Sequence, residues 1–440
     1  MVIPQLVMLS NYKTETILLF SFQVLLEKLL YSCPKLDKVY ILVREKKGVN
    51  IDQRIRSMID QPLFTRLRTE RPQTFEKIVP IVGDIAEPRL GIKAEDEEIL
   101  IKEVSIVFHV AATVNFKEKL DVAMNINVAG TERMLDLTRR MENVKCFVYV
   151  STVYSNPHQK VIEEVLYPEP ISLEEIRRLL KVGITDDQLN EILKDRPNTY
   201  SFTKALTEHV VAKNHGTIPT IIVRPSIVSS IKMDPIVGWV DNWFGATGNF
   251  TTMFRGLNRI VFTRPDNILD LIPVDYVSNL IIVAASKMKS SKDVEVYNSS
   301  TSAENPLTMH NAIKLAIEYS YKYKAYDVPL PFVLVTRFRW LLFLVSIIFE
   351  KIPAYIADAF LWLRRKTVRY SKFQAKVSLI RTAYEYFTDN SWIICASKTR
   401  ALFDSLSPSD KIMFPCDPKD IVWEEYMFSY FKGIRQFLLK

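Results

Sequence analysis

Along the first half of the chain, apolar residues gather into short, nearly unbroken runs set between helix-like stretches. KVYILVR (38–44), KIVPIVGDI (77–85), VSIVFHVAA (104–112), VKCFVYVST (144–152) and TIIVRPSIV (220–228) are rich in Val and Ile. Each is too short for an ordinary helix and lacks the alternation of a half-exposed strand, so each reads as a buried strand. FQVLLEKLLYSC (22–33), VNIDQRIRSMID (49–60) and MNINVAGTERMLDLTRRM (124–141) repeat apolar residues at helical spacing. Fully apolar strands alternating with helices predict an α/β fold, a doubly wound parallel sheet of Rossmann-like type covered on both faces. Ligands of such sheets bind beyond the carboxyl ends of the strands. GD (83, 84), HVAAT (109–113) and ST (151, 152) fall there.

The rhythm breaks at 156–197, which is acidic and helical in character (ISLEEIRRLLKVGITDDQLNEILKD) and predicts an inserted helical pair. Residues 231–330 carry loops, a helix at VDYVSNLIIVAASKM and a short strand at VEVYNSS, and read as a substrate-binding region. A hydrophobic segment (331–366) follows, then a helical C-terminal domain (367–440) rich in aromatic and basic residues. The sheet domain is placed at 1–230.

At 440 residues the chain is too long for one ordinary core. Apolar residues make up 48% and charged residues 25%, the balance of a globular protein. The formal charge of +8 suits acidic ligands or an anionic membrane, and equally a merely basic surface. The four cysteines are scattered with no C-x-x-C pair, which fits a reducing compartment. The five histidines show no metal-binding spacing. Neither a metal nor a nucleic-acid partner is expected. TILLFSFQVLL (16–26) lacks a small-residue cleavage site, so no secretory signal is read there.

The stretch YSFTKALTEHVV (200–211) places Tyr200 and Lys204 four apart on one helical face. A phenol titrates too high to exchange protons readily at neutral pH, and a neighbouring ammonium lowers that threshold. The Tyr-x-x-x-Lys spacing is common by chance. What raises it here is order: a hydroxyl pair, Ser151-Thr152, at the end of a buried strand, then the Tyr/Lys helix after one insertion. In hydride-transfer chemistry such a hydroxyl positions the substrate oxygen, the tyrosine moves the proton, and the lysine tunes the tyrosine and holds the nicotinamide ribose.

With these residues on the page, the chain resembles the extended short-chain dehydrogenase/reductase superfamily and, within it, the fatty acyl-CoA reductases of animal and insect type. The resemblance rests on LVREKKG (42–48), GD (83, 84), HVAATVNF (109–116), NVAGTERMLDL (127–137), VSTVYSNP (150–157) and YSFTK (200–204). VRPSIV (223–228), GWVDNWFGATG (238–248), IPVDYV (272–277) and YFTDNSWIICASKTRALFDSLSPSDK continue it. It runs from about residue 24 to the end. It implies NADPH as cofactor, with Arg44 and Lys46 or Lys47 facing the 2′-phosphate. It further implies Asp84 and Ile85 beside the adenine, and close cofactor approach at Ala111, Ala112 and Thr113. The catalytic group it implies is Tyr200, Lys204 and Thr152, with Ser151 as the alternative hydroxyl; His109 reads as structural.

One part of the family pattern is missing. The resemblance implies a first strand followed by a glycine-rich loop that presents backbone N–H groups to the pyrophosphate. The first glycine here is Gly48, and MVIPQLVMLSNYKTETILLFS shows no phosphate-cradling loop. Two readings stand: a divergent chain with an impaired cofactor site, or an alternative or misassigned start of about 20 residues. On either, NADPH binding by this sequence is expected to be weak.

WLLFLVSIIF (340–349) and IPAYIADAFLWL (352–363) are too short to span a bilayer singly, and joined they put Glu350 and Lys351 mid-membrane. Basic residues on both flanks predict a shallow hairpin or in-plane helices with both ends cytosolic, a buried helical pair being the alternative. The resemblance implies the endoplasmic reticulum or peroxisome. The expected function is NADPH-dependent reduction of long-chain acyl-CoA to a primary alcohol. The competing expectation is a non-catalytic, membrane-associated acyl-CoA binder, favoured by the missing glycines.

Overall fold

The computed structural model describes residues 5–9, 16–45, 48, 50–288 and 293–439, and for 5–9 and 16–19 the backbone alone. Its centre is a parallel sheet of seven strands: β1 (Gln5–Leu9), β2 (Lys38–Val43), β3 (Ile78–Val82), β4 (Ile106–His109), β5 (Cys146–Val150), β6 (Thr220–Pro225) and β7 (Glu295–Ser299). Their order is β3-β2-β1-β4-β5-β6-β7. The direction of winding reverses between β1 and β4, which opens the crevice where nucleotides bind in sheets of this kind. Strands β4, β5 and β6 are buried along their whole length, which is why they read as continuous apolar runs.

The helices that frame the site are α1 (Thr16–Ser32), α2 (Gly130–Thr138), α3 (Thr199–Asn214), α4 (Ala246–Phe254), α5 (Val274–Lys287), α6 (Arg339–Leu363), α7 (Tyr370–Asp389) and α8 (Trp423–Gly433). In α1 every residue from Phe20 to Leu30 is buried. Its charged members are paired: Glu27 binds Arg66 through both oxygens (2.7 and 2.9 Å), and Lys28 reaches Asp234 (3.2 Å). A helix apolar all round is a core helix, and α1 packs along α5 within the main hydrophobic cluster.

The start of the chain departs from the sequence expectation. Gln5–Leu9 is the central strand, and α1 begins at Thr16 rather than near residue 21, so TILLFS forms its first turns. The first strand-helix unit is therefore built. Residues 10–15, which join its two parts, lie outside the described residues and contain no glycine.

Three further placements matter. The run 220–228 divides at Pro225, which has no N–H for the ladder, and Ile227–Ser229 pairs instead with Leu271–Pro273. The edge strand β7 comes from beyond residue 230, so the sheet extends past the boundary expected for it. The inserted segment forms two helices, Leu173–Val182 and Asp186–Leu193, the second opened by a capping box between Thr185 and Gln188.

Of the hairpin or in-plane helices expected at 340–363, the hairpin does not form. Residues 339–363 are one continuous helix, with a π-helical turn over Ser346–Lys351. That wider turn sets Glu350 on the inner side, where Arg381 holds it (2.9 Å).

Candidate active site

Asn198 starts α3, its side chain accepting the Ser201 amide (2.9 Å), and so fixes where the Tyr/Lys face begins. Tyr200 lines a large cavity beyond the ends of β5 and β6. One turn on, Lys204 is 1% exposed; its Nζ donates to the Val150 carbonyl (2.7 Å) and stands 4.6 Å over the Tyr149 ring. A further turn on, Glu208 is buried and grips Arg224 bidentately (2.9 and 2.7 Å).

The two candidate hydroxyls have different surroundings. Ser151 Oγ donates to Glu208 Oε1 at 2.5 Å, so its proton is committed to the buried ion pair. Thr152 Oγ1 accepts the Tyr154 amide (3.2 Å) as the cap of a short turn and makes only a long contact to the Pro225 carbonyl (3.5 Å). Both line the cavity with Tyr200. Glu208 and Arg224 escaped sequence reasoning, although Tyr200, Lys204 and Glu208 form an i, i+4, i+8 series that carried the signal. Asn127 escaped it too. Its side chain accepts the Thr113 amide (2.7 Å) and donates to Thr113 O and Thr203 Oγ1, tying the segment after β4 to α3.

His109 is fully buried, its Nε2 on Thr131 Oγ1 (2.8 Å). Burial first, and the Lys204 charge second, push its imidazole down to about 3, so it is neutral at working pH. It keeps the structural role expected of it.

On the nucleotide side, Ala111, Ala112 and Thr113 follow β4 and are buried. Asp84 follows β3 and binds Arg44 Nε (2.8 Å), which brings two expected cofactor residues together. Ile85 packs on Gly130 at the head of α2, where an added Cβ would crowd the Ile85 carbonyl at 3.1 Å. Lys46 and Lys47 lie outside the described residues. Ser226 Oγ is buried with no partner among the described residues and lines the cavity together with Thr152. A buried hydroxyl there, on the same cavity as Tyr200, fits a nicotinamide-ribose moiety.

The cavity holds about 1420 Å³, open mouth included. Its walls are mostly apolar, with Phe250 and Met253 from α4, Ile281 from α5, and Tyr384 and Phe387 from α7, interrupted by a few polar side chains such as Asn249 and Asn258. Arg381 of α7 closes one side.

Comparisons with known proteins agree with this arrangement. Two sequence families described as male sterility protein match residues 23–281 and 349–440. Fatty acyl-CoA reductase 1 of Homo sapiens is 34% identical over 427 residues, covering 96% of this chain and 83% of that protein. The Xenopus laevis protein of the same name is 36% identical over the same shares, and fatty acyl-CoA reductase 2 of Mus musculus is 32% identical over 98% of this chain and 85% of its own length. Among solved structures, the terminal R domain of the myxalamid PKS-NRPS pathway superposes with a TM-score of 0.68 at 19% identity, covering 99% of this chain and 92% of that one. The reductase domain of a Mycobacterium tuberculosis nonribosomal peptide synthetase gives 0.64 at 15%, covering 98% and 91%. These two establish the extended short-chain dehydrogenase/reductase fold. On sequence identity across nearly its whole length, the chain belongs to the fatty acyl-CoA reductase family and is an oxidoreductase.

Proposed function

We propose that this chain reduces long-chain fatty acyl-CoA to a primary fatty alcohol with NADPH, while held on a membrane with its catalytic domain in the cytosol. The observation that carries the reading is the junction of Tyr200 and Thr152 with a deep apolar cavity, at the strand ends where a nicotinamide belongs. Such a cavity suits an alkyl chain: burying each methylene contributes about 0.8 kcal/mol. The bound cofactor supplies the hydride. In this reading Thr152 holds the substrate oxygen and Tyr200 gives it a proton; the Lys204 ammonium favours the phenolate that remains. Among the cofactor residues, Arg44 would grip the 2′-phosphate while Asp84 orients its guanidinium through Nε. Asp84, Ile85 and Ala111–Thr113 would border the adenine and its linkage. Lys46 remains an expectation from sequence.

The competing reading, a non-catalytic acyl-CoA binder, drew on the missing glycines alone; the complete Tyr200/Lys204/Thr152 group argues for catalysis. Membrane attachment through 337–366 accords with a water-insoluble product, and the endoplasmic reticulum or peroxisome is the proposed place. The test is alcohol formation from a labelled long-chain acyl-CoA with NADPH, by the chain and by Tyr200→Phe. Turnover by the chain that Tyr200→Phe abolishes supports the reading; equal turnover in both removes Tyr200 from the mechanism.

A further inference from the structure

Helix α6 is built inside out. Its buried residues are Val345, Ser346, Glu350 and Asp358, mostly polar. Its outer face is apolar: Trp340, Phe343, Tyr355, Ile356 and Trp362 are each 63–70% exposed. A surface helix in water normally shows the reverse. Every inward polar group is satisfied by the body of the protein. Glu350 accepts from Arg381 (2.9 and 3.1 Å), the Arg259 amide (2.8 Å) and Gln374 (3.1 Å). Asp358 accepts the amides of Arg369, Tyr370 and Ser371 (2.8–2.9 Å) at the start of α7. The helix is thus fixed along two turns of its inner face, and among the described residues nothing covers its apolar side.

Three observations say what covers it. The 25-residue helix holds an 18-residue stretch of mean hydropathy 1.7, long and apolar enough to span a bilayer, yet spanning would tear Glu350 and Asp358 from their partners. Basic residues stand at both ends, all exposed: Arg337 before it and Arg339 at its first position, paired with Asp389 (3.8 Å) and Glu385 (2.7 Å) of α7, and Arg364, Arg365 and Lys366 after it. Trp340 and Trp362 mark the same two ends, as aromatic residues do at a lipid interface. A partner protein would need no basic flank on each side; an anionic leaflet rewards both. Arg381 then links this face to the site. It binds Glu350 and Ser346 under α6 and also lines the catalytic cavity.

We propose that α6 lies in the plane of an anionic lipid leaflet, and that the cavity takes its acyl chain from that leaflet at the end marked by Arg381. The leaflet docking follows from α6 alone; the acyl route rests on the function proposed above. Both halves are tested on the full chain with phosphatidylcholine vesicles, with and without phosphatidylserine. Sedimentation is expected to carry the chain down with the anionic vesicles, and Phe343→Glu/Ile356→Glu to weaken that at least tenfold with the melting temperature unchanged. Trp340→Phe and Trp362→Phe, each leaving the other reporter, should lose equal quenching by shallow brominated lipid. No vesicle binding, or unequal depths, overturns the in-plane placement, as does self-association that the double variant abolishes while vesicle binding persists. For the route, transfer of a pyrene-labelled long-chain alcohol from vesicle to protein should slow at least tenfold in the double variant, with uptake from micelle-free solution unchanged. Equal rates in both proteins overturn it. Failure of acyl-CoA reduction alone would sink the proposed function and leave these binding results to stand by themselves.

Discussion

Tyr200 carries the sharpest expectation at the scale of single residues. Tyr200→Phe should lower acyl-CoA reduction about 100- to 10,000-fold, the usual cost of removing a general acid, and leave NADPH titration nearly unchanged. Thr152→Ala should lower turnover without altering the fold. Ser151→Ala should act differently, because its hydroxyl serves Glu208 rather than the open cavity. The Glu208–Arg224 pair is fully buried, so Arg224→Met strands a carboxylate and should cost about 3–5 kcal/mol of stability, read by chemical denaturation. A loss below 1 kcal/mol would mean that water or Ser155 compensates the carboxylate. These residues differ in legibility for a physical reason. Tyr200, Lys204 and Thr152 lie in contiguous motifs, whereas Glu208, though in series with Tyr200 and Lys204, finds its partner only when β6 brings Arg224 beside it.

Among elements, β1 and α1 were the hardest to read. QLVML is a short strand with no glycine turn after it, and the helix that follows is apolar on every side, so neither periodicity nor a start signal marks the join. The Val/Ile strands were legible because burial on both faces demands apolar runs. The division at Pro225 and the recruitment of β7 were not, since both depend on partners distant in sequence. The lack of glycine between β1 and α1 has a consequence that titration calorimetry can check. With no glycine among residues 10–15 to let a backbone close on the pyrophosphate, NADPH should bind much more weakly than to a relative with the glycine loop, and equal affinity in the two would contradict that. The segment before α4 makes a second prediction. Burial pushes the Asp241 carboxyl up to about 7, with Asn242 opposing. A carboxyl raised in the folded state favours folding below its unfolded value near 4, and that contribution is lost as pH rises through about 7. Asp241→Asn should therefore raise the melting temperature at pH 8 and leave it unchanged at pH 4. A gain that is the same at both pH values would assign the effect to packing.

For the whole molecule, the C-terminal part is a wall of the site and of the core rather than an appendage. From α8, Met427, Tyr430 and Phe431 are fully buried in the cluster that also holds α1 and α5. Tyr426 Oη bonds Ser229 and the Ser230 carbonyl (2.7 and 2.8 Å), and Tyr430 Oη bonds Thr247 (2.6 Å). The closest approach is between glycines: a Cβ on Gly433 would fall onto the Gly238 carbonyl, and Gly238, at φ +78°, would meet the Ser429 carbonyl. This contact fastens the chain's end to the loop leading into α4, whose Phe250 and Met253 line the cavity. Phe431→Ala should cost about 3–5 kcal/mol, as large aromatic truncations in a core do. Gly433→Val should cost at least as much, since neither backbone can withdraw without moving α4. Because one core spans both ends, the two losses should appear as a single transition, followed together by far-ultraviolet dichroism and by tryptophan fluorescence. Should Gly433→Val instead separate the curves, with the sheet outlasting the C-terminal helices, α8 would be an independently folding cover and its part in shaping the acyl cavity would fall.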